Sequence, residues 1–137
     1  MSRTRLLVVD DEAALLQLLQ KYLVRLGYDI DACRSAQEAW ERFQASPLSF
    51  AIVVADLNLP GMSGEELLMR MLALSPNVSV LVCSGYPYDT SRLPLASPTQ
   101  AGFLQKPFLP KMLGEALDRL LRARILKDAR PAQSSAP

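Results

Sequence analysis

The chain has 137 residues, half of them hydrophobic and 21% charged, a composition that predicts one soluble globular domain with a sizeable core. A formal net charge of +1 gives no sign of a nucleic-acid or membrane partner, and the apolar runs are too short for a membrane span or a secretory signal, so a cytoplasmic protein is expected. Histidine is absent, which excludes the usual zinc sites and histidine-activated nucleophiles and leaves carboxylates, hydroxyls and lysine for any chemistry.

The first two predicted elements are a strand and a helix. Arg5–Val9 is a short, continuous apolar run, which is typical of a strand buried on both faces. Apolar residues then recur at helical spacing over 12–26, and Gly27 ends the pattern. The predicted core stripe of this helix consists of Leu15, Leu18, Leu19, Tyr22 and Leu26. Leu16 and Leu23 are predicted to lie beside that stripe.

Strands and helices continue to alternate along the rest of the chain. Strands are predicted at 28–33, 51–55, 78–82 and 102–105, and helices at 35–45, 64–74 and 109–126. Ser35 and Ser63 are each followed three residues later by glutamate, which predicts capping boxes. Three prolines between the fourth and fifth strands predict a short or broken fourth helix. The segment 127–137 lacks periodicity and is predicted to be a disordered tail after a single domain at 1–126.

Polar side chains follow the apolar strands where each strand ends. The first strand is followed by Asp10 and Asp11, the third by Asp56, the fourth by Ser84 and the fifth by Lys106. The carboxyl ends of parallel strands share one edge of a sheet, where open α/β proteins bind ligands. Clustered carboxylates favour a hard divalent cation such as magnesium, which together with the lysine would neutralise them. An ionised carboxylate needs no base to act as a nucleophile, which suits phosphoryl transfer onto aspartate.

Four strings of residues, in this order and spacing, resemble the response-regulator receiver domain of two-component signalling, in the CheY-like superfamily. They are LLVVDDE (6–12), VVADLNLPGMSGEEL (53–67), VLVCSGY (80–86) and GFLQKPF (102–108). The resemblance covers about residues 4–125. It implies a flavodoxin-like (βα)5 fold, that is, a doubly wound five-stranded parallel sheet of strand order 2-1-3-4-5, with a short or irregular fourth helix.

The resemblance also implies how the acidic residues act. Asp56 would be the phosphoacceptor, in a domain that catalyses only its own phosphorylation and dephosphorylation. Asp11, Asp56 and the backbone carbonyl of Asn58 would bind magnesium or manganese directly, and Asp10 would bind it through water. The turn at 59–64 would approach the acceptor closely through its two glycines.

The remaining implied roles concern the phosphoryl group and the response to it. Ser84 and Lys106 would each contact a phosphoryl oxygen, and the Lys106–Pro107 peptide bond would be cis. Ser84 and Phe103 would form the conformational switch. Phe103 lacks the hydroxyl of the tyrosine often found in this family, and the proline-rich segment before it is atypical, so the usual output surface is less well supported than the acceptor chemistry.

The implied partner is a histidine kinase or a histidine phosphotransfer protein, and the downstream partner is unidentified. No direct nucleic-acid or membrane contact is expected, and the chain would be a monomer or a weak homodimer. It would be either a stand-alone regulator or the receiver of a hybrid sensor kinase. Ala14, Leu15 and Leu16 could dock a partner helix, although simple packing against the sheet explains them equally well.

Other interpretations of these residues remain open. A haloacid-dehalogenase-type phosphatase also uses a strand-end aspartate, but it needs a second aspartate two residues later, where this chain has Asn58. A receiver-like docking module that is never phosphorylated is the other alternative. Taken singly, Asp10 or Asp11 could be a helix N-cap, Lys106 a surface lysine and Ser84 part of an ordinary turn.

Overall fold

The structure is a computed structural model that describes residues 3–129 of the chain. The five strands are β1 (Arg5–Val9), β2 (Asp29–Cys33), β3 (Ile52–Asp56), β4 (Ser79–Ser84) and β5 (Ala101–Gln105). The α-helices within this range are α1 (Ala13–Arg25), α2 (Ala36–Ala45), α3 (Gly64–Leu74) and α4 (Pro110–Ala129). Each element lies within three residues of its predicted bounds.

All five strands are parallel and lie in the order β2-β1-β3-β4-β5, which confirms the predicted topology. The continuous apolar runs in the sequence arise because the central strands are covered on both faces. Alternate residues of each strand therefore belong to two separate cores. In β1, Leu7 and Val9 pack on the side of α2 and α3, whereas Leu6 and Val8 pack on the side of α1 and α4.

The serines predicted to start α2 and α3 do so. The Ser35 hydroxyl accepts a hydrogen bond from the Glu38 backbone amide, and Ser63 accepts one from Glu66, both at 3.1 Å. The reciprocal half of the predicted capping boxes differs. The Glu38 carboxylate accepts from the Arg34 amide instead of the cap residue, and the Glu66 carboxylate pairs with an arginine one turn later. Each helix start thus keeps the hydrogen bond to the serine side chain, and the glutamate side chain binds elsewhere.

The predicted core stripe of α1 is correct for Leu19, which is buried, and for Leu15 and Tyr22, which pack partly buried against the core, and wrong for Leu18 and Leu26. The buried residues of this helix are Leu16, Leu19 and Leu23, whereas Leu18 and Leu26 are about half exposed. Leucines occupy both stripes, so three- and four-residue spacing fits either face, and packing against the sheet decides between them. Leu16 is 6% exposed and is therefore a core residue, which removes it from the candidate docking surface.

No α-helix forms between β4 and β5. Two single 3₁₀ turns, Thr90–Arg92 and Pro98–Gln100, replace the predicted irregular fourth helix. The segment is nevertheless anchored to the core, because Leu93 is buried and the side chain of Gln100 donates to the carbonyl of Val78 at 2.7 Å. Proline lacks an amide hydrogen and fixes its own φ, which explains why short turns take the place of a helix.

The last helix is longer than its periodicity indicated. It continues to Ala129, so 127–129 is helical and not part of a disordered tail, and the rest of the predicted tail (130–137) lies outside the described residues. Within 3–129, no helix combines the length and apolarity needed to cross a membrane.

Cys33 and Cys83 are buried, free thiols, and burial raises the pKa of each to about 12, so both serve as apolar core residues.

Candidate functional site

Two neighbouring strands place three carboxylates together at the carboxyl edge of the sheet. Val9 of β1 pairs in register with Ala55 of β3, so the residues that follow them, Asp10 and Asp56, lie side by side. Oxygen atoms of Asp10, Asp11 and Asp56 all lie within 4.8 Å of one another. Asp10 and Asp56 are 4% and 6% exposed, whereas Asp11 faces solvent. Buried carboxylates this close repel each other and need positive charge nearby.

Lys106 supplies part of that charge from the end of β5. Its Nζ donates to Asp10 Oδ2 at 2.8 Å and to Asp56 Oδ2 at 3.1 Å. Its backbone amide donates to the carbonyl of Ser84, and its peptide bond to Pro107 is cis. Burial opposes the lysine charge, but the hydrogen bonds and charges of the two aspartates outweigh it and raise the pKa of Lys106. A cation held by two carboxylates is not an ordinary surface lysine.

The second oxygen of each buried aspartate is held by the backbone. Asp10 Oδ1 accepts from the amide of Glu12 at 2.9 Å, and Asp56 Oδ1 accepts from the amide of Asn58 at 3.0 Å. These are local turns in which a carboxylate binds the backbone two residues on. The N-cap position of α1 is Glu12, whose side chain makes no capping bond, so capping does not explain Asp10 or Asp11.

The hydroxyl at the end of β4 lies next to the acceptor strand. Cys83 pairs in register with Asp56, and Ser84 follows it with only 4% of its surface exposed. Ser84 Oγ accepts a hydrogen bond from the Tyr86 amide at 3.1 Å, an arrangement that leaves its own hydrogen to donate elsewhere. Phe103 on β5 is half-buried and packs on the α2–α3 side of the sheet. Because Ser84 pairs with Gln105, Phe103 lies on the same face as Ser84, one diagonal position away.

The two glycines after Asp56 serve different purposes. Gly64 lies against the acceptor itself, since a Cβ atom there would stand 2.2 Å from the backbone oxygen of Asp56. Gly61 has open space around it but a φ of +79°, so it is needed for backbone conformation. The predicted close approach is therefore made by Gly64 and not by Gly61.

The donor set fits a hard divalent cation. Carboxylate oxygens from Asp10, Asp11 and Asp56 converge, and the single positive charge of Lys106 leaves this group of four with two excess negative charges. Oxygen ligands with that charge are what magnesium and manganese prefer. Glu12, whose Oε1 is 3.8 Å from Lys106 Nζ, was not singled out from the sequence, although it directly follows the acidic pair.

Comparison with known proteins agrees with this fold. The family described as "Response regulator receiver domain" matches residues 6–118, a range that contains every strand-end residue described above. The chain therefore belongs to the response regulator receiver domain family. Phosphorylation and magnesium binding are typical of this family, which consists of signalling domains of two-component systems and not of classical enzymes.

Individual relatives include a chemotaxis protein, a sensor kinase and a two-component response regulator. The chain is 27% identical to the chemotaxis protein CheY of Thermotoga maritima over 85% of its own length and 96% of that protein. It is 31% identical to the sensor kinase CckA of Brucella abortus over 84% of its length, but spans only 12% of CckA. Other curated relatives are longer too, since the chain spans 35% of the two-component response regulator ARR14 of Arabidopsis thaliana and 52% of the regulatory protein VanRB of Enterococcus faecalis. A receiver domain structure from Methanospirillum hungatei, 24% identical, has the same fold, with a TM-score of 0.82 over 92% of this chain and 99% of that one.

Proposed function

We propose that the chain accepts a phosphoryl group on Asp56 from a histidine kinase or a histidine phosphotransfer protein. The observation that supports this most directly is the contact of Lys106 Nζ with both Asp10 and Asp56, beside a cluster of three carboxylates. A nucleophilic carboxylate, an ammonium group and a buried hydroxyl thus lie at the ends of adjacent strands, as phosphoryl transfer requires.

The proposed reaction forms one bond and breaks one. A carboxylate oxygen of Asp56 bonds to phosphorus as the bond between phosphorus and the donor's imidazole nitrogen breaks, and the electron pair stays on that nitrogen. Lys106 and Ser84 hold the phosphoryl oxygens and orient the group. Asp11, Asp56, the carbonyl of Asn58 and, through water, Asp10 would hold magnesium or manganese, which would neutralise the charge on these oxygens.

The same site favours an acceptor over a phosphatase. Two residues after Asp56, a haloacid-dehalogenase-type enzyme uses an aspartate as general acid and base, and here Asn58 contacts Asp56 through its backbone amide. A side-chain amide does not exchange protons in that way. A permanently unphosphorylated docking module would have no need of a lysine shared by two buried carboxylates.

We propose that phosphorylation changes the positions of Ser84 and Phe103 relative to each other and thereby controls a partner protein. The receiver unit proposed here covers residues 1–126, so its boundary falls one turn before the end of α4. The match to a sensor kinase supports a kinase or a phosphotransfer protein as the phosphoryl source. A stand-alone regulator and a receiver within a hybrid kinase both fit the relatives.

Phosphorylation of the purified protein tests this proposal. Incubation with phosphoramidate and magnesium should add one phosphoryl group per chain, removable by hydroxylamine because an acyl phosphate is a reactive mixed anhydride. Chelation of magnesium with EDTA should abolish the mass increase, and added manganese should restore it. Intact mass spectrometry measures both results, and a protein that stays unlabelled with magnesium would contradict the proposal.

Replacing Lys106 should weaken the fold and the response to phosphorylation without removing the acceptor. Lys106→Ala should still be labelled, but the magnesium-free protein should lose about 1–3 kcal/mol of stability at neutral pH, because two buried carboxylates lose their shared donor. The folded pKa of Lys106 is raised, so its contribution is complete below the unfolded pKa of about 10.4 and is lost as pH rises through the folded value. Urea unfolding should show a constant difference from wild type at pH 7–9 that shrinks above pH 10.

A further inference from the structure

Three side chains near the site form a cluster for which the acceptor chemistry has no use. Tyr88 Oη donates to Glu65 Oε2 at 2.6 Å. Arg92 Nε lies 3.0 Å from the same oxygen, and Arg92 Nη2 lies 3.3 Å from Glu65 Oε1. The guanidinium of Arg92 also lies 5.7 Å from the centre of the Tyr88 ring. These three residues are called the Tyr88 cluster below.

The Tyr88 cluster joins two parts of the fold that are far apart in sequence. Glu65 belongs to the first turn of α3, whereas Tyr88 and Arg92 belong to the segment 85–100, which replaces a fourth helix. Tyr88 is half-buried against the α2–α3 core, and Leu93 is buried one residue after Arg92. The cluster therefore fastens the irregular segment to α3.

Short stretches of chain connect the Tyr88 cluster to the acceptor site, both on the side of α3 and on the side of the segment 85–100. On one side, Gly64 directly precedes Glu65, lies against the backbone oxygen of Asp56, and donates its amide to the carbonyl of Leu57. On the other side, the Tyr86 amide donates to Ser84 Oγ, two residues before Tyr88. The Tyr86 amide therefore links the Ser84 hydroxyl to the stretch of chain that carries Tyr88.

We propose that the Tyr88 cluster is a clasp that holds the segment 85–100 in its unphosphorylated position and opens when Asp56 is phosphorylated. The inference rests on the proposed acceptor role of Asp56. When the Ser84 hydroxyl turns toward a phosphoryl group, it carries the Tyr86 amide with it. Tyr88, two residues on, is then drawn away from Glu65, which remains fixed to the start of α3.

The hydroxyl of Tyr88 is the main link in the clasp. Burial, the hydrogen bond to Glu65 and the Glu65 charge all raise the pKa of Tyr88, so the phenol remains a donor throughout the neutral range. The Arg92 side chain is 63% exposed and that of Glu65 is 27% exposed, so solvent weakens their ion pair. A short bond from a half-buried phenol to a carboxylate is charge-assisted and stronger than a neutral one.

Tyr88→Phe removes this link and leaves the ring in place. Because the closed clasp opposes the phosphorylated state, the variant should bind beryllofluoride, an analogue of the phosphoryl group, about threefold to tenfold more tightly in the presence of magnesium. Tyr22→Phe is the matched control, since Tyr22 lies half-buried on the opposite face of the sheet, and its affinity should equal that of wild type. Isothermal titration calorimetry measures all three dissociation constants.

Arg92→Ala weakens the same clasp from its exposed side and should change the affinity in the same direction by a smaller factor. Hydrogen exchange provides a second readout. Exchange at the amides of Arg92 and Leu93, which are bonded within the first 3₁₀ turn, should accelerate in wild type when beryllofluoride binds and be fast in Tyr88→Phe without it.

The outcomes separate this inference from the proposed function. If wild type binds beryllofluoride with magnesium but Tyr88→Phe binds it equally or more weakly, the clasp is overturned and the acceptor role of Asp56 stands. If wild type does not bind beryllofluoride at all, the proposed function fails, and the clasp fails with it.

Discussion

Asp56→Asn should reduce phosphoryl incorporation by about a hundredfold or more, because the amide that replaces the carboxylate is a poor nucleophile. Asn has nearly the same shape, its single side-chain oxygen can still accept the backbone hydrogen bond from Asn58, and Lys106 keeps Asp10 as its acceptor. The variant should therefore fold. Incubation with phosphoramidate and magnesium, followed by intact mass spectrometry, should show unmodified protein where wild type gains one phosphoryl group.

A matched control distinguishes loss of the nucleophile from loss of charge. Asp29→Asn removes the same charge at an exposed position at the amino end of β2, away from the edge of the sheet that carries the site. This variant should be labelled as fast as wild type. Persistent hydroxylamine-sensitive label on Asp56→Asn would mean that another residue is the nucleophile, and peptide mapping would then identify it.

Gly64→Ala should cause the largest loss of stability among the substitutions considered, about 3 kcal/mol, or roughly 10 °C in Tm. A Cβ atom at this position would lie 2.2 Å from the Asp56 oxygen, 2.7 Å from Leu57 Cα and 2.9 Å from the Asp56 carbonyl carbon. All three are backbone atoms, so no side chain can rotate away to relieve the overlap. Relief requires α3 to move away from the acceptor loop, which should also slow phosphorylation.

Two other glycines provide graded controls for that loss. A Cβ on Gly85 would meet nothing within 4 Å, and Gly85→Ala should change the stability by less than about 0.5 kcal/mol. Gly61→Ala also meets nothing, but φ at this position is +79°, so strain of about 1–2 kcal/mol is expected. Thermal unfolding followed by circular dichroism should rank the variants in this order, and a Gly64→Ala protein as stable as Gly85→Ala would contradict the contact with Asp56.

The pattern of the sequence alone predicted the order of the elements and the composition of the site. Apolar runs such as Leu6–Val9 and Ala51–Ala55, alternating with helical patterns, are typical of strands in a covered parallel sheet, and the carboxyl ends of parallel strands share one edge. Asp10, Asp56 and Lys106 could therefore be assigned to one site before any distance was known. The physical reason is that strand direction and periodicity are local properties of the chain.

What only the tertiary structure decided depends on which surfaces meet. Leucines at both helical faces of α1 left the buried stripe ambiguous, and packing on the sheet selected Leu16 and Leu23. The difference between Gly61 and Gly64, and the contact of Tyr88 with Glu65 across 23 residues, arise from the fold of distant segments onto each other. Local sequence carries no record of such contacts, because their distances are set by the packing of whole helices against the sheet.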